Sequence, residues 1–150
     1  MTDIKEKIDN ANVRNCACFN LRKTSRAITQ HYDRVLQPSG LRVTQFTILV
    51  VIATAESITI TRMAKQLVMD RTTLTRNLRP LEKQGFIEII PGDDLRTRYV
   101  TLSKMGRNAL TKDLPLWEKA QQRFEKGLGD ERFGNLLSEL SETRDIAQNI

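Results

Sequence analysis

The chain is poor in the side chains that carry most enzymatic chemistry. It has one histidine and two cysteines, with no His/Cys/carboxylate cluster at metal-ligand spacing. No glycine-rich phosphate loop occurs, and no nucleophile stands beside an evident base. These absences argue against an enzyme, and no cofactor or metal is expected. Cys16 and Cys18 are too few for a disulfide framework. Two residues apart on a helix they point roughly 200° away from each other, which disfavours a bond between them within one chain. No apolar run approaches the roughly 20 residues that cross a bilayer. The first residues, Met1-Thr-Asp-Ile-Lys-Glu-Lys-Ile-Asp9, alternate charge with isolated Ile and lack the apolar core of a signal peptide. The expected location is the cytoplasm, with no membrane partner.

What is present suits a small globular protein with an anionic partner. The 150 residues are 39% hydrophobic and 28% charged, enough for one domain with a core and unlike a disordered chain. The net charge of +6 favours association with anions. Between Arg62 and Arg98 there are eight Lys and Arg against five acids, so half of the excess falls in that one segment. It is not a polybasic tail.

That segment reads as a helix-turn-helix. Ile60, Met63, Ala64 and Leu67 recur at the spacing that turns one helix face into a core, and Leu74, Leu78 and Leu81 do so again. Asp70, between the runs, is placed to cap the second helix through the backbone N–H of Thr72 or Thr73. With the leucines inward, Arg71, Thr72, Thr75, Arg76 and Arg79 project outward. A short helix presenting Arg and Thr after a tight turn suits a DNA major groove. Pro80 conflicts with this helix: it predicts a kink, with a break at Arg79 as the alternative.

Around this motif the periodicity predicts helix, helix, helix-turn-helix, β-hairpin, helix, helix. Residues 13–36 carry a stripe of Ala17, Leu21, Ile28, Tyr32, Val35 and Leu36, ended by Pro38 and Gly40. A second helix starts at Thr44, which is taken as its cap, and is apolar nearly all round; a buried strand is the alternative reading. Ile58 suits a brief strand. After Gly85 the period falls to two, and residues 86–90 and 99–102 read as antiparallel strands joined by a protruding 91–98 loop. Ser103 caps a long helix reaching about Lys126, with a kink expected at Pro115. Gly127 to Gly129 break it, and Asp130 is expected to cap a last helix with Phe133, Leu136, Leu137, Leu140 and Ile146 on one face.

Met63-Ala-Lys-Gln-Leu67, Asp70-Arg-Thr-Thr-Leu-Thr-Arg76, Leu81-Glu-Lys-Gln-Gly-Phe-Ile87 and Asp94-Leu-Arg-Thr-Arg98 followed by Val100-Thr-Leu-Ser103 resemble the MarR family of winged-helix transcriptional regulators. The likeness extends over nearly the whole chain. It implies a mainly α fold with a small β-hairpin wing: a winged helix-turn-helix head over residues 44–102, and dimerisation helices over 13–36 and 104–150. It further implies a homodimer on double-stranded DNA with a pseudo-palindromic operator, released by a small-molecule effector or by oxidation. Arg71, Thr72, Thr75 and Arg76 then fall to the major groove, and Arg96 to the minor groove. Asp94 is expected to hold Arg96, as in the family. Arg62, Lys65 and Arg98 are candidate phosphate contacts. The alternative for all these charges is a solvated face on a winged-helix module that binds protein.

Cys18-Phe-Asn-Leu-Arg22, with Ser25-Arg26 beyond it, resembles the first helix of the organic-hydroperoxide-sensing branch of that family. Cys18 matches the reactive cysteine and Tyr32 one of two tyrosines that hydrogen-bond it. Arg22 stands where the other tyrosine is expected, one turn from Cys18, where a cation favours the reactive thiolate. The alternative is that Cys18 is a small apolar residue in the dimer stripe. Cys16 is a candidate resolving thiol from the other subunit. The competing signal is a small anionic or aromatic ligand between dimer helices and head, with Arg22, Arg26, His31 and Tyr32 as its candidates. Apolar stripes at both ends of the chain call for a partner surface, the alternative being that they fold back on their own chain. A two-fold dimer sets its reading helices about 34–36 Å apart.

Overall fold

The computed structural model describes residues 3–149. It begins with a short helix α1, Ile4–Asn10, and a 3-10 turn, Val13–Asn15. Helix α2 then runs Ala17–Leu36. The expected helix from residue 13 therefore starts four residues late. Asn12 is left-handed and Cys16 is extended (φ −60, ψ 120), which interrupts helical geometry twice. The Asn20 amide stabilises this break by donating to the carbonyls of Arg14 and Cys16, both at 3.0 Å.

Helix α3, Val43–Ala55, buries Phe46, Ile48, Leu49 and Ile52, and the strand alternative is excluded. Its start departs from expectation. Thr44 is not the cap: the Val43 N–H donates to Asp33 Oδ1 (2.8 Å) and the Arg42 N–H to Gln45 Oε1 (3.1 Å). These are side-chain substitutes for the partners that the first turn of a helix lacks. Strand β1, Ser57–Thr59, leads into α4, Ile60–Gln66, and then α5, Arg71–Lys83. Strands β2, Ile87–Pro91, and β3, Arg98–Leu102, complete an antiparallel sheet in the order β1-β3-β2. Ile58 and Ile89 both lie opposite Val100, and Pro91 pairs with Arg98. Pro91 thus belongs to the strand and not to the loop, at an edge position where its missing N–H costs little.

The core is one cluster. Leu36 from α2, Leu49 and Ile52 from α3, Met63 from α4, and Leu74, Leu78 and Leu81 from α5 are fully buried together with Val100 of β3. Helix α5 continues through Pro80, so the break at Arg79 does not occur. Pro80 is exposed, and the bond it removes is the one to the Arg76 carbonyl on the solvent side. Helix α6, Lys104–Leu128, likewise passes through Pro115. Helix α7, Asp130–Gln148, has Gly129 as its N-cap residue, so Asp130 is its first helical residue and not its cap. No single helix among the described residues is long and apolar enough to cross a membrane.

One junction fixes α6 to the head. Helix α5 ends with Gly85 at φ +81, the Gly85 N–H donating to Glu82 and the Phe86 N–H to Leu81, both at 2.9 Å. This double closure satisfies the last carbonyls of α5. The Ser103 hydroxyl donates to the Gly85 carbonyl (2.5 Å) and accepts the Gly106 N–H (3.0 Å), while the Ser103 N–H donates to the Phe86 carbonyl (3.1 Å). A Cβ on Gly106 would lie 2.1 Å from the Phe86 carbonyl oxygen. Gly106→Ala must therefore push α6 off the end of α5, at a cost of roughly 1–3 kcal/mol. Denaturant unfolding of the variant should show that loss, and unchanged stability would mean that the approach is not tight.

Candidate nucleic-acid interface

The reading face begins with two caps. Thr59 Oγ1 accepts the Arg62 N–H (3.2 Å) at the start of α4. Asp70 accepts the Thr73 N–H on Oδ1 (2.8 Å) and the Thr73 hydroxyl on Oδ2 (2.6 Å) at the start of α5. The Thr73 hydroxyl, with the backbone N–H next, holds the Asp70 carboxyl below its ordinary range. The expected cap at Thr72 or Thr73 is thus made at Thr73. Between the helices, Val68 stands at φ 53, with the Met69 N–H closing onto Ala64 (2.8 Å). A β-branched residue in left-handed geometry is strained, and it is held by closure of the turn on both sides.

With its leucines inward, α5 presents Arg71, Thr72, Thr75, Arg76 and Arg79 around one shallow concavity. All are exposed except Thr75, which is half-buried. The Thr75 hydroxyl donates to the Arg71 carbonyl (2.7 Å), so its proton is spent inside the helix. What Thr75 offers outward is a methyl group and an acceptor, a combination suited to a thymine methyl or a cytosine amino group. Arg71 and Thr72 occupy the first turn of α5, where unpaired N–H groups and the helix dipole favour a phosphate. Arg62 and Lys65 are exposed on α4.

The wing is the six-residue stretch 92–97 between β2 and β3. Asp94 Oδ1 accepts the Arg96 backbone N–H (3.0 Å), its carbonyl accepts the Thr97 N–H (2.9 Å), and the Gly92 N–H donates to Thr97 (2.8 Å). Asp94 does shape the approach to Arg96, through the backbone and not through the guanidinium. Arg96 and Arg98 are exposed, and Leu95 at the tip is 85% exposed. Among the described residues the single ion pair is Arg144–Asp145 on α7. Within those residues the arginines of α4, α5 and the wing therefore carry no protein counter-ion.

The candidate signal residues do not converge within the chain. Cys16 and Cys18 are free and exposed. Because Cys16 precedes α2 in extended backbone, the angle expected for two helical cysteines does not apply to them. Arg22 and Arg26 are exposed on α2, whereas Tyr32 is buried. Fourteen residues of helix separate Cys18 from Tyr32, roughly 21 Å. The Tyr32 hydroxyl donates instead to Gln121 Oε1 of α6. Its ring stacks on Phe124 at 5.7 Å, and His31 meets Phe124 edge-on at 5.2 Å. Burial, with the charge of Glu125 added, pushes the Tyr32 phenol up. His31 and Tyr32 thus seal α2 to α6 and do not form a pocket with Arg22 and Arg26. Arg79 is the reading-face residue missing from the expected DNA contacts, although its helical position beside Arg76 already carried the signal.

This geometry agrees with what the chain is similar to. The MarR family model matches residues 41–96. The organic hydroperoxide resistance transcriptional regulator of Bacillus subtilis is 32% identical over 69% of this chain and 71% of its own length. The chain belongs to the MarR family. The regulator SarZ of Staphylococcus haemolyticus is 32% identical over 63% of this chain and 65% of its own. The M. tuberculosis transcriptional regulator MosR, solved in complex with DNA, is 36% identical and superposes with a TM-score of 0.79, covering 89% of this chain and 98% of that one. These MarR-family relatives are transcriptional regulators and not enzymes, and α4, α5 and the β2–β3 wing are the winged helix-turn-helix of this member.

Proposed function

We propose that the protein is a homodimeric, cytoplasmic repressor that binds a pseudo-palindromic operator in double-stranded DNA. The observation that carries this is the arginine face of α5 and the wing, exposed and without counter-ions in the described residues. Arg71, Thr72, Thr75 and Arg76 read the major groove, Arg96 enters the minor groove, and Arg62, Lys65 and Arg98 hold phosphates. The regulator solved with DNA that resembles this chain supports the reading.

Dimerisation is proposed for a separate reason. Helix α7 has no buried residue, and Leu136, Leu137 and Leu140 stand 38–52% exposed; Leu114 of α6 and Phe19 and Leu21 of α2 are exposed as well. A helix of this length gains little from propensity alone and needs an apolar face covered. Folding back on its own chain leaves that face open, whereas a second copy covers it. The dimerisation elements are then α2, α6 and α7, and the head spans residues 44–102.

Release from DNA is assigned to a small ligand or to oxidation of Cys18, with Cys16 of the other subunit as resolving thiol. The exposed thiols and the likeness to a hydroperoxide-resistance regulator favour the second route. The Cys18→Ser variant should keep DNA binding but lose its response to mild organic peroxide. Release by peroxide that persists in this variant would remove Cys18 from the switch.

Duplex titration at several salt concentrations tests the DNA reading itself. Affinity should fall steeply with salt. Arg96→Ala should weaken binding and reduce the salt slope by about one, and Arg76→Ala should cost roughly 1–3 kcal/mol and relax preference at one base position. Equal affinity for selected genomic fragments and random duplex would favour the protein-interaction module instead.

A further inference from the structure

The wing tip carries a side chain that the fold does not use. Leu95 is 85% exposed, more than any other large apolar residue among those described. A single exposed leucine is ordinary on a surface, but this one stands on a turn that is closed three times. The Asp94 carbonyl accepts the Thr97 N–H (2.9 Å), Asp94 Oδ1 accepts the Arg96 N–H (3.0 Å), and the Gly92 N–H donates to the Thr97 carbonyl (2.8 Å). Tyr99 braces the base of the turn, since a Cβ on Gly92 would lie 2.9 Å from its ring. Leu95 and Arg96 are therefore the two central residues of a stiff turn, and both are exposed.

Such a tip presents a guanidinium and a branched apolar group side by side. Asp94 is spent on the backbone, and Asp93, the other acid of the wing, precedes the turn. The minor groove of a duplex is only about 6 Å wide, and neighbouring Cα atoms are already about 3.8 Å apart before their side chains are added. Arg96 suits a narrow A·T stretch. Leu95 does not fit beside it in the same unwidened groove, so it either stays in water or enters where the groove opens. Entry is favoured by burial of its apolar surface. It costs least at a pyrimidine–purine step, which unstacks easily. A turn already held in shape adds little ordering cost to that contact.

We propose that Leu95 is a minor-groove wedge: it enters a pyrimidine–purine step next to the A·T stretch that takes Arg96, and so selects operators at a position that no arginine reads. This rests on the regulator reading above and adds a determinant of sequence to it. Leu95 has no charge and no hydrogen-bonding side-chain atom, so what it reads is the deformability of the step and not its base edges. It also differs from Arg96 in its salt signature, because an apolar side chain releases no counter-ion when it binds.

The test uses the full-length protein. Duplexes are selected from random sequence with the wild type and with Leu95→Ala. The wild type should enrich TA or CA at one fixed position outside each major-groove patch, and the variant should lose that preference while keeping the rest of the site. On a TA duplex, Leu95→Ala should bind roughly tenfold more weakly, less than full burial of the lost carbons is worth because the unstacking cost is removed as well. Its salt slope should match the wild type, in contrast to Arg96→Ala. With 2-aminopurine in place of the adenine at that step, fluorescence should rise on binding of the wild type and not of the variant. The proposal is overturned by wild-type affinity in Leu95→Ala, by an equal loss on TA and AA duplexes, which means packing on the sugars alone, or by a changed salt slope, which means that Leu95 acts by placing Arg96. Unchanged fluorescence with the wild type overturns it too. A wild type that prefers no duplex sinks the regulator reading itself, whereas a selective wild type with an indifferent Leu95→Ala sinks the wedge alone.

Discussion

The Ser103 hydroxyl donates to Gly85, where the reading helix stops, and accepts from Gly106, where the long helix begins. Three elements with different tasks meet at that contact: α5 carries the arginines, β2 leads to the wing, and α6 leads away from the head. Because Gly106 has no side chain, α6 approaches the Phe86 carbonyl closely enough to leave little play between them. The orientation of the arginine face is thus set by the axis of α6. A winged head on a loose tether would present the same residues with no fixed spacing between copies.

Charge and hydrophobicity divide the molecule accordingly. The leucines of α5 spend their area on the core with Leu49, Ile52, Met63 and Val100, leaving the opposite face to arginine and threonine. The wing repeats this economy with fewer residues, since one carboxylate, Asp94, orders the backbone at Arg96. At the other end, α7 keeps its leucines exposed and has no fully buried residue. One surface is cationic and lacks an anion, and another is apolar and lacks a cover. DNA and a second copy of the chain are the partners proposed for these two surfaces.

The elements legible in the sequence were those with a strong period or a specific side-chain cap. Leu74, Leu78 and Leu81, the Asp70 and Ser103 caps, and the two-residue alternation after Gly85 all lie where they were expected. Boundaries failed where the partner of a terminal N–H was remote in sequence or residues away from the obvious candidate. Asp33 reaches Val43 from the preceding helix, and Gln45 reaches back to Arg42, so Thr44 was the wrong cap. At position 80 the continuing helix held and the alternative break at Arg79 failed, because the bond that Pro80 removes faces solvent. The signal residues were hardest to place. Tyr32 and Cys18 share a helix, yet Tyr32 is taken up by Gln121 and Phe124 of α6, a contact no local pattern announces. Asp113 gave no signal at all, since an acid in an amphipathic helix reads as solvated until its burial is seen.

The central claim is that α6 and its paired copy hold two arginine faces at a fixed spacing on one side of the duplex. Hydroxyl-radical and methylation footprinting on a selected operator tests it most directly. Two major-groove patches should be protected, centred about 10–10.5 base pairs apart on the same face, or a whole multiple of that, with minor-groove protection flanking them. A single protected patch, or two patches whose separation varies among operators, would contradict it.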